Sequence, residues 1–198
     1  QYFSRATCFG NDTFIIVWGG SVPGDTFGIG GRIFSYNGTP LTGEIRINSI
    51  TAPNQQYPDI SCFNDGSFVV AWESDGQDGD GYGIFARLFN STGANQTDDI
   101  LVNKNVTNNQ QRASVCCYGN NSFIISWDSL DQDGSARGVF CRIFNGPTIE
   151  SKKEALNPLI LLLMPEDNAM LALFIILPLI GVAAAIAGFF FYRKIKAK

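Results

Sequence analysis

The chain has 198 residues and a mass of 21.6 kDa, which is enough for one or two domains. Charged residues make up only 16% of it, the net charge is −4 and histidine is absent. These values exclude a largely disordered chain, a Ser-His-Asp triad, a Cys-His pair and most catalytic zinc sites.

The first elements along the chain belong to a repeated pattern. Three segments begin with cysteine and end with tryptophan: 8–18, 62–72 and 117–127. Each is followed by a glycine-containing block with an arginine, at Arg32, Arg87 and Arg142. Because the matches keep their order and a spacing of 54 or 55 residues, they predict a repeat domain over 1–146. Its three repeats are 1–54, 55–109 and 110–146.

The second repeat predicts four short strands. The first strand ends at Cys62-Phe63, and a turn leads to the second strand, Phe68–Trp72. The third strand is Gly83–Phe89, and the fourth is Ile100–Asn103. Asp-Gly turns between β-branched and aromatic runs are typical of hairpins.

Alternation along the second strand puts Phe68, Val70 and Trp72 on one face of the sheet. Val69, Ala71 and Glu73 lie on the other face. Both faces are fairly apolar, so both are predicted to be covered. Four-stranded units that need neighbours to bury their faces are typical of β-propeller blades.

Three blades are too few for a closed propeller, which needs about four to eight. Either upstream blades are missing from this chain, or several chains combine, or the array is open. Residues 147–168 are predicted to form a membrane-proximal stalk. Within the stalk, Leu159–Met164 either supplies a fourth strand to the third repeat or lies against the membrane surface.

A single transmembrane helix is predicted over 169–192, because these 24 residues carry no charge. The basic tail 193–198 is predicted to be cytoplasmic by the positive-inside rule, which puts the N-terminus outside the cell. The preceding 168 residues hold 18 acidic and 10 basic side chains, a balance that argues against nucleic-acid binding. The predicted fold class is therefore all-β, with about three tandem four-stranded propeller-like repeats followed by this helix.

Six N-x-S/T sequons lie on the predicted outer side of the membrane and none lies in the span or tail. They predict N-linked glycans on a plasma-membrane or cell-surface protein of type I topology. The acceptor asparagines are Asn11, Asn37, Asn90, Asn95, Asn105 and Asn120. The chain starts at Gln1 without a visible signal peptide, so we expect a processed chain or a C-terminal fragment of a longer protein.

The string W-E-S-D-G-Q-D-G-D-G-Y-G-I-F-A-R-L-F-N, residues 72–90, resembles tandem repeats of large secreted or surface proteins of bacteria and ciliate-type protists. The resemblance covers residues 1 to 146 and is clearest in the second repeat. It implies a propeller-like extracellular array with a structural or adhesive role, and it implies no catalytic residue.

Acidic loops precede the third strand of two repeats and are the best candidates for a metal site. Carboxylates interrupted by glycine can wrap Ca²⁺, which takes six to eight oxygen ligands. The predicted ligands are Asp75, Asp78 and Asp80 in one loop and Asp131 and Asp133 in the other. The alternative is a solvated hairpin loop that needs no cofactor.

Five cysteines are present, and their positions separate them into two groups. Cys8, Cys62 and Cys117 share one repeat position and are predicted to be small hydrophobic residues on a strand. Cys116 and Cys141 occur only in the third repeat and are a possible disulfide, with each other or with a neighbouring protein. No CxxC spacing supports a zinc site.

The sequence predicts a glycosylated single-pass surface protein whose β-repeats act as a structural or assembly module, in a cell coat or surface fibre. Open strand edges favour self-association or pairing with another surface protein. The alternative is an adhesin or receptor that binds a glycan or protein ligand, with or without calcium. An enzymatic role is not expected, because repetition alone explains the recurring arginines.

Overall fold

A computed structural model describes residues 1–10, 12–118, 122–134 and 136–145 of the chain. These residues fall within one compact unit, Gln1–Ile149, and form eleven strands in three antiparallel sheets, with no helix among them. The all-β prediction is confirmed for this part of the chain. The stalk, the predicted span 169–192 and the tail lie outside the described residues.

Each sheet is formed by one repeat, with the strands in chain order. The first sheet consists of β1 (Tyr2–Cys8), β2 (Thr13–Val22), β3 (Asp25–Ser35) and β4 (Ile45–Arg46). The second consists of β5 (Gln55–Cys62), β6 (Phe68–Asp75), β7 (Tyr82–Phe89) and β8 (Ile100–Leu101). The third consists of β9 (Gln110–Tyr118), β10 (Ser122–Leu130) and β11 (Arg137–Asn145).

The four strands predicted for the second repeat are confirmed, with β8 ending two residues earlier than expected. β5 pairs with β6, β6 with β7, and β7 with β8, so β5 and β8 are the two edges. In the third sheet, β11 has no fourth strand beside it among the described residues. Leu159–Met164, predicted as one source of that strand, lies outside them.

The second sheet packs between the other two. Its front face, which carries Phe68, Val70 and Trp72, packs against Ile15 and Val17 of the first sheet. Its back face packs against the third sheet, and that core is formed by Val69, Ala71, Ile84, Phe123, Ile125 and Trp127. The prediction that both faces of this strand are covered is confirmed.

Every sheet has a front face and a back face of the same composition. Front faces carry aromatic side chains at equivalent positions, as in the stacked pairs Phe68–Phe89 and Phe123–Phe144. Back faces are aliphatic, as with Ile29 and Ile84. Two junctions result, each joining an aromatic front face to the aliphatic back face of the preceding sheet.

The first strand of each sheet contains a β-bulge at the same position. Phe3, Tyr57 and Arg112 adopt φ values of 54°, 50° and 57°, and the ladder registers shift beside them. Positive φ is rare for bulky residues and is tolerated where a bulge twists a strand. The Phe3 and Tyr57 rings lie 3.9 Å apart between centroids, so the bulges of successive repeats contact each other.

The three sheets do not close into a ring within the described residues, so the full propeller remains a prediction. No helix in the described part of the chain has the length and apolarity to cross a membrane.

Candidate functional site

Several of the buried polar residues that the structure describes lie at the junctions between sheets. The first junction contains a buried amide network. Asn48 follows β4 and is fully buried. Its Nδ2 lies 2.9 Å from Asp25 Oδ2 and 3.0 Å from Oε1 of Gln55, the first residue of the next repeat. Its Oδ1 accepts a hydrogen bond from Ile29 N at 2.7 Å. One side chain therefore joins two positions on β3 to the first strand of the following sheet.

The second junction repeats this network with equivalent residues. Asn103 Nδ2 lies 2.8 Å from Asp78 Oδ2 and 3.0 Å from Gln110 Oε1. Asn103 Oδ1 accepts from Ile84 N at 2.7 Å. We call each network an amide latch: Asp25–Asn48–Gln55 and Asp78–Asn103–Gln110. Buried polar groups satisfied in this way fix the register of a packed interface.

The recurring arginines cross the same junctions. Arg87 Nη1 donates to Ile47 O at 2.9 Å, and Arg142 Nη1 donates to Val102 O at 3.0 Å. In each case the arginine of one sheet binds a backbone carbonyl that directly follows the last strand of the preceding sheet. Arg32 occupies the equivalent position on the first sheet, and its Nε donates to Thr42 O at 2.9 Å as Arg87 Nε does to Thr97 O at 2.8 Å.

A buried carboxyl lies between β6 and β9 at the second junction. Glu73 is completely buried, and its Oε1 accepts a hydrogen bond from Arg112 N at 2.6 Å. Burial raises the pKa of Glu73, and hydrogen bonds from Arg112 and Gln56 oppose that shift. Because Glu73 contacts a backbone N–H and has no exposed surface, it holds β6 to β9 and is not placed to touch a ligand.

The first strands of successive sheets lie side by side and make polar contacts. Asp59 Oδ2 accepts hydrogen bonds from Val115 N at 2.8 Å and Ser114 Oγ at 3.1 Å. Asp59 Oδ1 is also 3.8 Å from Arg5 Nε. One carboxylate in the second repeat therefore binds the first and third repeats together.

The outer faces of the array are apolar and lack a neighbouring sheet among the described residues. On the front face of the first sheet, Phe14 and Phe34 stack at 5.3 Å and are half-buried. On the back face of the third sheet, Val139 is 78% exposed. The equivalent residues Ile29 and Ile84 are 0% exposed because a following sheet covers them.

The predicted calcium loops have other partners in this structure. Asp78 belongs to an amide latch, and Asp80 Oδ2 accepts from Asn108 N at 3.0 Å. Asp75 ends β6 opposite Tyr82, while Asp131 and Asp133 lie in the β10–β11 loop. Among the described residues, no group of three or more acidic or cysteine side chains could hold a metal ion. The calcium site stays a prediction from the sequence.

Four of the six predicted glycosylation sites are described. Asn37 and Asn95 are exposed, whereas Asn90 and Asn105 are half-buried in loops. Asn11 and Asn120 lie outside the described residues. The positions of the four are compatible with the prediction and do not test it.

The third-repeat cysteines are free thiols on strands that flank β10 on opposite sides. Cys116 is opposite Ile124, and Cys141 is opposite Ser126. Two strand spacings separate them by about 10 Å, which is beyond the roughly 7 Å that a disulfide can bridge. The structure therefore does not join Cys116 to Cys141, and a bond to a neighbouring protein stays a prediction.

The amide latches were not predicted from the sequence. The block 45–48 repeats as 100–103, and each block is followed at the same interval by a glutamine pair. A polar residue recurring inside an apolar block was the available signal. Its partners lie in the next repeat and in a loop, so the contact itself required the three-dimensional arrangement.

Comparison with solved structures shows a likeness of fold. No protein-family model matches the chain, and no curated protein matches it. Among solved structures, it is similar to an endo-arabinase from Bacteroides thetaiotaomicron, with a TM-score of 0.51 and 11% identity. The likeness covers 75% of this chain and 58% of the endo-arabinase, so the chain spans little more than half of that protein.

This likeness corrects one prediction. The expectation of no enzymatic role rests on the repeat architecture. The endo-arabinase is an enzyme, and its fold is similar to that of this chain. Repetition is therefore no argument against catalysis, and the exclusion was wrong. At 11% identity the likeness establishes the fold alone.

Proposed function

We propose that the chain is the repeat module of a glycosylated surface protein, which assembles through the front and back faces of its propeller-like repeats. The observation that carries this proposal is the difference in burial at one repeat position. Ile29 and Ile84 are 0% exposed at the two internal junctions, whereas Val139 is 78% exposed at the end of the array.

The two outer faces are complementary in composition. The front face of the first sheet offers the half-buried Phe14 and Phe34, and the back face of the third offers Ile124, Val139 and Ile143. Both internal junctions join aromatic to aliphatic side chains in this same way. Exposed apolar faces of this kind are typical of interaction surfaces. A front-to-back contact between chains buries both.

The surface location is supported by the sequence and by the position of the sequons. The uncharged segment 169–192 is long enough to cross a bilayer, and a basic tail follows it. Asn37 and Asn95 present exposed acceptor sites. Expression in a eukaryotic cell tests this part of the proposal. We expect peptide N-glycosidase to increase the gel mobility of the chain, and an unchanged mobility contradicts the topology.

Assembly is tested by sedimentation velocity of the full chain in a mild nonionic detergent with a reducing agent. We expect oligomers for the wild type and a dissociation constant raised at least about tenfold by Val139→Glu, because an unpaired carboxylate is costly to bury. Leu41→Glu is the matched control. Leu41 is 54% exposed, and Gln96, at the same position of the second repeat, is also exposed although its sheet has a neighbour on each side. A wild type that stays monomeric at high concentration contradicts assembly.

A second candidate is recognition of a glycan, favoured by the structural likeness to an endo-arabinase. The ligand class implied by that name is an arabinose polymer. Titration calorimetry with arabinose oligosaccharides tests binding, and release of reducing sugar tests turnover. Saturable binding by a monomeric chain favours this candidate over assembly, and the absence of both signals excludes it.

A further inference from the structure

The first strands of adjacent sheets contact each other with a stagger of one residue. At the first junction, Thr7 Oγ1 lies 3.5 Å from Cys62 Sγ, which in turn lies 2.9 Å from Cys8 O. At the second junction, Ser61 Oγ accepts a hydrogen bond from Cys117 N at 2.9 Å. The Ser61 hydroxyl also bonds the Cys117 thiol. Each junction therefore pairs a hydroxyl of one sheet with a thiol of the next.

Repeat equivalence extends this pairing to the ends of the array. Thr7 and Ser61 are equivalent to Cys116 in the third repeat, and Cys62 and Cys117 are equivalent to Cys8 in the first. A third junction of the same geometry therefore opposes two thiols in place of a hydroxyl and a thiol. Both cysteines are exposed, whereas the internal thiols Cys62 and Cys117 are partly covered.

We propose that the third repeat of one chain docks on the first repeat of a second copy, and that Cys116 forms a disulfide with Cys8 of that copy. The inference rests on the proposed assembly and names its partner and its covalent link. The partner is a second copy of the chain, because each internal junction already joins the front face of one sheet to the back face of the preceding sheet.

The geometry of the internal junctions suits a disulfide. The 3.5 Å separation of Thr7 Oγ1 and Cys62 Sγ is a contact distance, so two sulfurs at those positions need to approach by only about 1.5 Å to bond. Cys141 is equivalent to Ala86, which lies on β7, two strands away from Ser61 on β5. The same geometry therefore places Cys141 away from Cys8 of the second copy.

The oxidant is a small-molecule disulfide such as oxidised glutathione. The thiolate of Cys116 attacks one glutathione sulfur and expels the other glutathione as a thiolate. The thiolate of Cys8 from the second copy then attacks the Cys116 sulfur and expels the second glutathione. Two protein thiols and one glutathione disulfide thus become one protein disulfide and two glutathione thiols.

A front-to-back interface between identical chains produces rings or filaments. Two copies of residues 1–146 bring six repeats together, which lies within the roughly four to eight blades of closed propellers. The expected product is therefore a pair of chains closed by two equivalent junctions, each with one Cys116–Cys8 disulfide.

The test is a non-reducing gel of the full chain in mild detergent after treatment with a mixture of oxidised and reduced glutathione. We expect a band at twice the mass of one chain that disappears with dithiothreitol. Cys8→Ser and Cys116→Ser should each reduce that band at least tenfold. Cys141→Ser and Cys117→Ser should retain it. Trypsin should release the linked peptides 6–32 and 113–137.

The variant Cys116→Ser separates the disulfide from the assembly, because it restores the hydroxyl found at Ser61. We expect it to associate reversibly in sedimentation experiments without a covalent link. A wild type that associates but links through other cysteines, or through none, overturns this inference and leaves the proposed function standing. A chain that remains monomeric when reduced and when oxidised overturns both.

Discussion

At the scale of single residues, burial gives chemically identical side chains different properties. Cys8, Cys62 and Cys117 share one repeat position, yet only Cys8 has no preceding sheet beside it among the described residues. Burial raises the pKa of Cys117 to about 12, although a hydrogen bond from Ser61 opposes the shift. The thiolate of Cys117 is therefore scarce at neutral pH.

Thiol alkylation should follow this difference. In the folded, reduced Val139→Glu variant, which keeps the chain unassembled, we expect iodoacetamide at pH 8 to modify Cys8 and Cys116 at least tenfold faster than Cys117, because the thiolate is the reactive form. Peptide mass spectrometry after timed quenching measures the three rates, with urea-unfolded protein as the control. Equal rates in the folded chain contradict the assigned burial.

Glu73 should make the fold less stable as the pH rises. Burial raises the pKa of Glu73 above its ordinary value of 4.5, so the folded state binds its proton more tightly than the unfolded state. The stability from this proton is fully present below pH 4.5 and is lost as the pH rises through the folded pKa. We expect Glu73→Gln to reduce the fall in melting temperature above pH 4.5, and an unchanged profile contradicts the assignment.

At the scale of elements, strand pattern and strand partners differ in how far the sequence predicts them. Alternation along Phe68–Trp72 correctly predicted a strand with both faces covered, because burial on both sides requires apolar residues at every position. The partners of Asp78 could not be predicted in this way. Its loop resembled a calcium ligand set, but the carboxylate lies 2.8 Å from Asn103, 25 residues further along the chain.

Loss of an amide latch should weaken the junction that it spans. Asn103→Ala leaves Ile84 N–H, the Asp78 carboxylate and the Gln110 carbonyl without their buried partner. We expect the free energy of unfolding to fall by about 3 kcal/mol, since each unsatisfied buried group costs about 1–3 kcal/mol. Urea denaturation measures the change.

The control for the latch is Asn64→Ala, which removes the same side chain from an exposed turn between β5 and β6. We expect that change to alter the free energy of unfolding by no more than about 0.5 kcal/mol, as for ordinary surface positions. Equal losses in the two variants contradict a structural role for the latch.

At the scale of the whole molecule, repetition explains why the described residues form successive similar sheets. It also explains why the first and the last of these sheets each have an uncovered face. The period of 54 or 55 residues predicted the number of sheets, because each repeat forms one sheet. It did not predict how sheets contact each other, since the one-residue stagger between Thr7 and Cys62 depends on the packing of neighbouring sheets. In the proposed assembly, the same stagger pairs Cys116 of one chain with Cys8 of the next.

In the proposed assembly, the three repeats of residues 1–146 are completed by the repeats of a second copy. Negative-stain imaging of the reduced, detergent-solubilised full chain tests it most directly, because reduction removes any contribution from disulfides. We predict closed rings of six repeats for the wild type and arcs of three for Val139→Glu. Isolated arcs of three repeats for the wild type at high protein concentration would contradict the claim.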